Sequence, residues 1–178
     1  MLRIAMRSIP ILALFSAALG ICQSLPTAEK RAEVDLFGMY TRSATDYGLP
    51  LDNGVTIGGS LLATTAHFGK PGLSFRYTWV KGPVVDEYLW SGGGEWHAKL
   101  WRIMPYAMVS VGVGGLSMSS YSDSGPGWLV GGGADIPLRR NYSIRMEFSQ
   151  SWVKFSGPAP IFSYAPSSGS VGLVYRIH

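Results

Sequence analysis

Three histidines, a single cysteine and two runs of glycine are where chemistry could reside in this 178-residue chain. His67, His97 and His178 are too widely separated to form a metal site by spacing. Cys22 stands alone, which excludes an internal disulfide and a cysteine-based metal cluster. Gly112–Gly115 and Gly131–Gly133 lack the Gly-Lys-Ser/Thr ending and the following helix that a phosphate-cradling loop requires. His97 lies between Glu95 and Lys99 at a spacing of two, which reads as a histidine hydrogen-bonded in an interior. Serine hydrolysis would need a serine nucleophile, a histidine base and an orienting acid brought together. The expectation is therefore no catalytic residue, no cofactor site and no metal site.

The remaining charged residues are few, only 15% of the chain against a usual quarter, and they are patterned. Asp35, Arg76, Glu95, Lys99, Asp135, Arg145, Glu147 and Arg176 each alternate with apolar neighbours. Successive side chains of a strand point to opposite faces, so such alternation collects charge on one face and oil on the other. The stretch from Asn141 to Phe155 carries the pattern best. Tyr142, Ile144, Met146, Phe148 and Trp152 fall on one face, and Ser143, Arg145, Glu147, Ser149 and Ser151 on the other. The distance from Tyr142 to Trp152 along a strand is roughly 33 Å. Tilted by about 40°, that covers about 25 Å, the height of the apolar band of a membrane barrel.

Eight such segments follow one another between turn residues: Ala32–Arg42, Val55–Thr65, Leu73–Val80, Leu89–Trp101, Tyr106–Leu116, Trp128–Leu138, Tyr142–Phe155 and Ser170–His178. The apolar faces carry no charge: Leu36 and Tyr40, Ile57 and Leu61, Phe75 and Trp79, Trp90 and Trp96, Val109 and Val111, Trp128 and Val130, Leu173 and Tyr175. A midplane Arg or Lys facing lipid costs about 2–4 kcal/mol. The opposite faces combine the charges with small residues such as Gly58, Ser60, Gly93, Gly112, Gly131 and Gly133. Small residues make room for long ones, and buried charges persist when paired, so the expected interior is a plug of ion pairs. Connections Ser43–Gly54, Lys81–Tyr88, Ser117–Gly127 and Ser156–Gly169 read as long loops. Ala66–Gly72, Arg102–Pro105 and Arg139–Asn141 read as short turns. Long loops outside and short periplasmic turns are the habit of membrane barrels.

Met1–Ser24 reads as a secretory leader, with Arg3 and Arg7 ahead of an apolar stretch, Ile9–Ala18, too short to anchor. Ile21 stands before Cys22, where a lipoprotein signal would place a small residue. Leu25–Arg31 is a short periplasmic lead-in, and 32–178 is the barrel. The formal charge of +4 falls to +2 without Arg3 and Arg7, and there is no basic cluster that would imply nucleic acid. No run after the leader is apolar enough for a spanning helix, so spans must be strands.

The last segment, SVGLVYRIH, resembles the signal that outer-membrane barrels present to the barrel assembly machinery, with Ser170, Gly172, Tyr175 and Ile177 in the characteristic places. With YAMVSVGVGG, GWLVGGGADIPL and YSIRMEF, it makes 32–178 similar to the small OmpA-type or OmpX-like outer-membrane β-barrels. The resemblance implies an all-β, eight-stranded, antiparallel up-and-down transmembrane barrel in the cell outer membrane. It also implies a monomer bounded by outer-membrane lipid and lipopolysaccharide, with a structural or surface-interaction role. The sequence stops at the barrel, so no further periplasmic domain is expected. Two alternatives stand beside this reading. Barrel lipid hydrolases, the lipid A deacylases, carry a His-x-Ser pair on one strand, whereas Phe68–Gly69 and Ala98–Lys99 follow the histidines here. A secreted soluble barrel or sandwich would bury the apolar faces and wet the charged ones.

Overall fold

The computed structural model describes residues 32–44, 51–64, 69–83, 85–118, 121–155 and 163–177. The leader Met1–Ser24, the lead-in to Arg31, and His67 and His178 lie outside the described residues. The strands are β1 (Ala32–Ala44), β2 (Asp52–Ala63), β3 (Lys70–Lys81), β4 (Asp86–His97), β5 (Met104–Met118), β6 (Tyr121–Arg139), β7 (Tyr142–Lys154), β8 (Ser163–Tyr164) and β9 (Ser167–Ile177). Each long strand pairs antiparallel with its sequence neighbours, β9 returns to pair with β1, and β7 pairs with both β6 and β9. The ring is thus closed by eight strands, and β8 is a short addition on the edge of β7. Closure pairs every barrel strand on both sides around the ring, apart from the end of β6 that runs past β7.

The register sets the facing. In β7 the odd positions Ser143, Arg145, Glu147, Ser149, Ser151 and Val153 are buried, while Met146 and Phe148 are exposed, Phe148 to 64%. The same alternation holds around the ring, with Leu36, Ile57, Leu73, Phe75, Trp90, Val109, Val111, Val130 and Leu173 outside and Asp35, Arg76, Glu95, Asp135 and Arg176 inside. A soluble protein does not leave an apolar belt of this extent in water. The exterior is a lipid-facing surface, and the alternative of a soluble barrel or sandwich is thereby overturned. Aromatics mark its two margins: Trp96 and the Tyr142–Tyr175 pair at the end where β1 begins and β9 finishes, Tyr40, Trp79 and the stacked Trp128–Trp152 pair at the other.

The expected long loops are shorter than read, because the strands are longer. The ladder between β5 and β6 continues to Met118↔Tyr121, so Ser117–Gly127 is mostly a hairpin and not a loop. The β6–β7 ladder begins only at Gly127↔Val153, so that hairpin projects beyond its neighbour. Its Ser, Gly and Pro content suggested a loop, but pairing to a partner strand outweighs weak strand propensity. At the opposite end, β4 stops at His97, before the expected Trp101, and a reversing segment occupies 98–103.

Candidate functional site: the barrel interior

The interior divides into two storeys. The lower storey, nearer the end where β1 begins and β9 finishes, is built from charges. Arg176 and Asp35 are direct cross-strand partners and form a two-pronged pair, Nε to Oδ1 at 2.8 Å and Nη2 to Oδ2 at 2.7 Å. Arg145 and Asp135 do the same across β7 and β6, at 2.7 and 2.8 Å, and both are fully buried. Two parallel N–H donors on one carboxylate give the strongest and most directional form of this contact. A third pair crosses the lumen. β3 and β7 lie four places apart in a ring of eight, and Arg76 Nη1 reaches Glu147 Oε1 at 2.7 Å as a crossbar.

Aromatic rings fill the space between the guanidinium groups. Phe37 lies between Arg76 and Arg145, with ring centres 5.4 and 4.9 Å from them. Tyr106 faces Arg145 at 4.6 Å, stacks on His97 at 4.9 Å and donates its hydroxyl to Glu147 at 2.6 Å. His97 Nε2 meets Glu95 Oε1 at 3.1 Å, and its Nδ1 lies 3.8 Å from Asp135. At the rim Lys70 pairs with Glu33 at 2.6 Å.

The upper storey is made of hydroxyls. Thr41, Thr56 and Thr78 form a chain across β1, β2 and β3 at 2.8 and 2.9 Å, and Thr41 also meets Ser170 at 2.9 Å. A cavity of about 40 Å³ lies among these groups, Ser149, Ser151 and the crossbar. It has room for a few water molecules and no more. Leu89, Leu129, Val153, Phe155 and Tyr164 crowd its upper end, where the Tyr164 hydroxyl donates to Glu87 from β4.

Of the interior charges expected from the sequence, Asp35, Arg76, Glu95, Asp135, Arg145, Glu147 and Arg176, with His97, are brought together, but Lys99 is not. Lys99 is exposed beyond the end of β4, where the turn abandons the two-residue alternation that placed it inward. Tyr106, Phe37 and the pair Tyr164–Glu87 were not singled out beforehand. Parity in β1 and β5 already places Phe37 and Tyr106 opposite the lipid-facing Leu36 and Ala107. Tyr164 carries no such signal, since β8 is only two residues long. Among the described residues, no group of three or more His, Cys, Asp or Glu side chains is placed to hold a metal ion.

A closed, antiparallel, eight-stranded ring with an apolar exterior and a paired-charge interior defines the fold of a small transmembrane β-barrel. Solved structures share the fold. Neisserial surface protein A is similar over 81% of this chain and 96% of its own, at 15% identity and a TM-score of 0.57. Ail, the attachment invasion locus protein of Yersinia pestis, in complex with the heparin analogue sucrose octasulfate, is similar over 82% and 97%, at 16% identity and a TM-score of 0.52. The N-terminal β-barrel domain of Pseudomonas aeruginosa OprF is similar over 82% and 97%, at 13% identity and a TM-score of 0.50. No family model matches the sequence, and no curated protein matches it.

Proposed function

We propose that this barrel is a structural and surface-interaction protein of the envelope, and neither a channel nor an enzyme. The observation that carries the reading is the crossbar storey: Arg76–Glu147, Arg145–Asp135 and Arg176–Asp35 fill the lumen where a pore would have to pass. An interior closed by ion pairs leaves the exterior and the loop end as working surfaces. There the β5–β6 hairpin projects past β7, and function in such folds concentrates on segments held out by a rigid scaffold. By the habit of these barrels that end faces outward.

The test displays the full chain on Gram-negative cells beside a variant with residues 117–125 replaced by a two-residue turn. Binding to immobilised sulfated glycan and to matrix-coated surfaces is measured, together with sensitivity of the cells to detergent. Loss of binding or of envelope integrity in a variant that still migrates as a folded barrel supports the reading. Steady single-channel currents through the purified barrel in planar bilayers would overturn it, as would removal of acyl chains from added lipid A.

A further inference from the structure

The belt does not end at the same height all round the barrel. On the β4–β5–β6 side it continues past Trp96 into the reversing segment 98–103 and down β6. Leu100, Trp101, Ile103, Ile136 and Leu138 are all exposed there, Trp101 to 86%. Leu100 and Ile103 bond each other through both backbone groups, at 2.9 and 3.0 Å, so the segment is a tight, ordered turn. Trp101 sits at its tip with a φ of 53°, a left-handed conformation that disfavours large side chains and is ordinarily given to glycine or asparagine. The most exposed aromatic side chain among the described residues is thus carried on an unfavourable backbone, which points to a role.

Basic residues surround this apolar tip. Lys99, Arg102 and Arg139 are exposed, Arg140 follows in sequence, and residues 98–103 and 136–142 contain no acid. No ion pair among the described residues engages Lys99, Arg102 or Arg139. Arg102 lies over the Trp101 ring, 5.1 Å from its centre. On the neighbouring strand β3, the rim cation Lys70, opposite His97, is already paired with Glu33. Among the described residues, the cationic, aromatic edge thus runs along two hairpins on either side of the β5–β6 ladder.

We infer that the hairpins 98–103 and 139–141 form a docking edge for anionic phospholipid headgroups in the leaflet at the end of the barrel where β1 begins and β9 finishes. Continuity with the lipid belt supplies the first argument: Leu100 and Leu138 extend the apolar face to the level where headgroups begin. Charge supplies the second: guanidinium and ammonium groups meet phosphate as soon as the apolar surface stops. Trp101 would lie at the boundary, where amphipathic rings reside.

Native mass spectrometry of the full barrel, released from micelles holding equal phosphatidylglycerol and phosphatidylethanolamine, tests this. The wild type should retain phosphatidylglycerol preferentially. Lys99→Gln, Arg102→Gln and Arg139→Gln together should reduce that preference by about tenfold or more, given that each surface cation contributes up to about fivefold. Arg42→Gln, Lys81→Gln and Lys154→Gln, at the opposite end, should leave it intact. Heat-dependent gel mobility shows that each variant is folded, which separates this inference from the barrel reading itself. Equal retention of the two lipids, or a preference surviving the first triple variant, overturns the inference. Fluorescence supplies an arm that needs no charge removal. The emission lost in Trp101→Phe should be quenched by lipids brominated near the headgroup, and quenching only by a water-soluble agent overturns the proposal.

Discussion

The two storeys of the lumen solve one problem by different means. The lower storey buries full charges and pairs them through two-pronged contacts, a crossbar and stacked rings, with Arg76 Nε and Nη2 and Arg145 Nη1 left without hydrogen-bond partners among the described residues. The upper storey buries hydroxyls in a short chain beside a small cavity and closes with apolar side chains. Losing a partner means different things in each. A hydroxyl left alone beside a cavity can be met by water, whereas a guanidinium left alone in a packed interior cannot shed its charge. The lower storey should therefore be brittle and the upper storey forgiving.

The largest effect is expected from Glu147→Ala. It leaves Arg76 uncompensated at 1% exposure and removes the acceptor of Tyr106, which should cost about 3–5 kcal/mol. Urea titration of the barrel in micelles, followed by gel mobility, measures it. Asp135→Ala should be similar in size. The double change Asp135→Leu with Arg145→Met should recover most of the loss, because removing both charges also removes their desolvation cost. If the double variant is as weak as the single, the brittleness comes from packing and not from charge.

Next in size is a change of facing. Phe148→Arg places a charge on the lipid side and should weaken insertion by about 2–4 kcal/mol, whereas Ser149→Asn, one residue on, adds a small neutral group toward the cavity storey and should cost less. Equal folding yields in vesicles would contradict the assigned facing. Smaller still is Tyr164→Phe, which removes one hydroxyl donor to Glu87 while keeping the ring, for about 1 kcal/mol. The smallest belongs to Thr78→Val at the end of the threonine chain, about 0.5–1 kcal/mol in the same titration. A Thr78 effect as large as that of Glu147 would erase the distinction between the storeys.

Much of this was legible in the residues. Alternation in Tyr142–Trp152 and its counterparts gave the number of barrel strands and the lipid face, because a period of two leaves a side chain no third direction. It also placed Asp135, Arg145 and Glu147 inward. It failed where the period itself lapses. Lys99 was assigned to the interior by parity, yet the chain has already left the pleat and turned. Ser117–Gly127 looked like a loop by composition, because glycine and serine are poor strand formers in isolation and adequate ones beside a paired neighbour. Tyr164 sits on a strand too short to carry any pattern.

The sequence alone determined which residues face oil and which face the lumen, since facing depends only on the local geometry of an extended chain. It also held the acids and bases that the interior needs. Which acid meets which base was decided by closure. Asp135–Arg145 and Asp35–Arg176 depend on the register between neighbouring strands, set by the turn joining β6 to β7 and by the meeting of the first and last strands. Arg76–Glu147 depends on more than register. Only a ring of eight strands sets β3 opposite β7 across a lumen narrow enough for one arginine to span, so that contact exists in the closed barrel and in no smaller part of it.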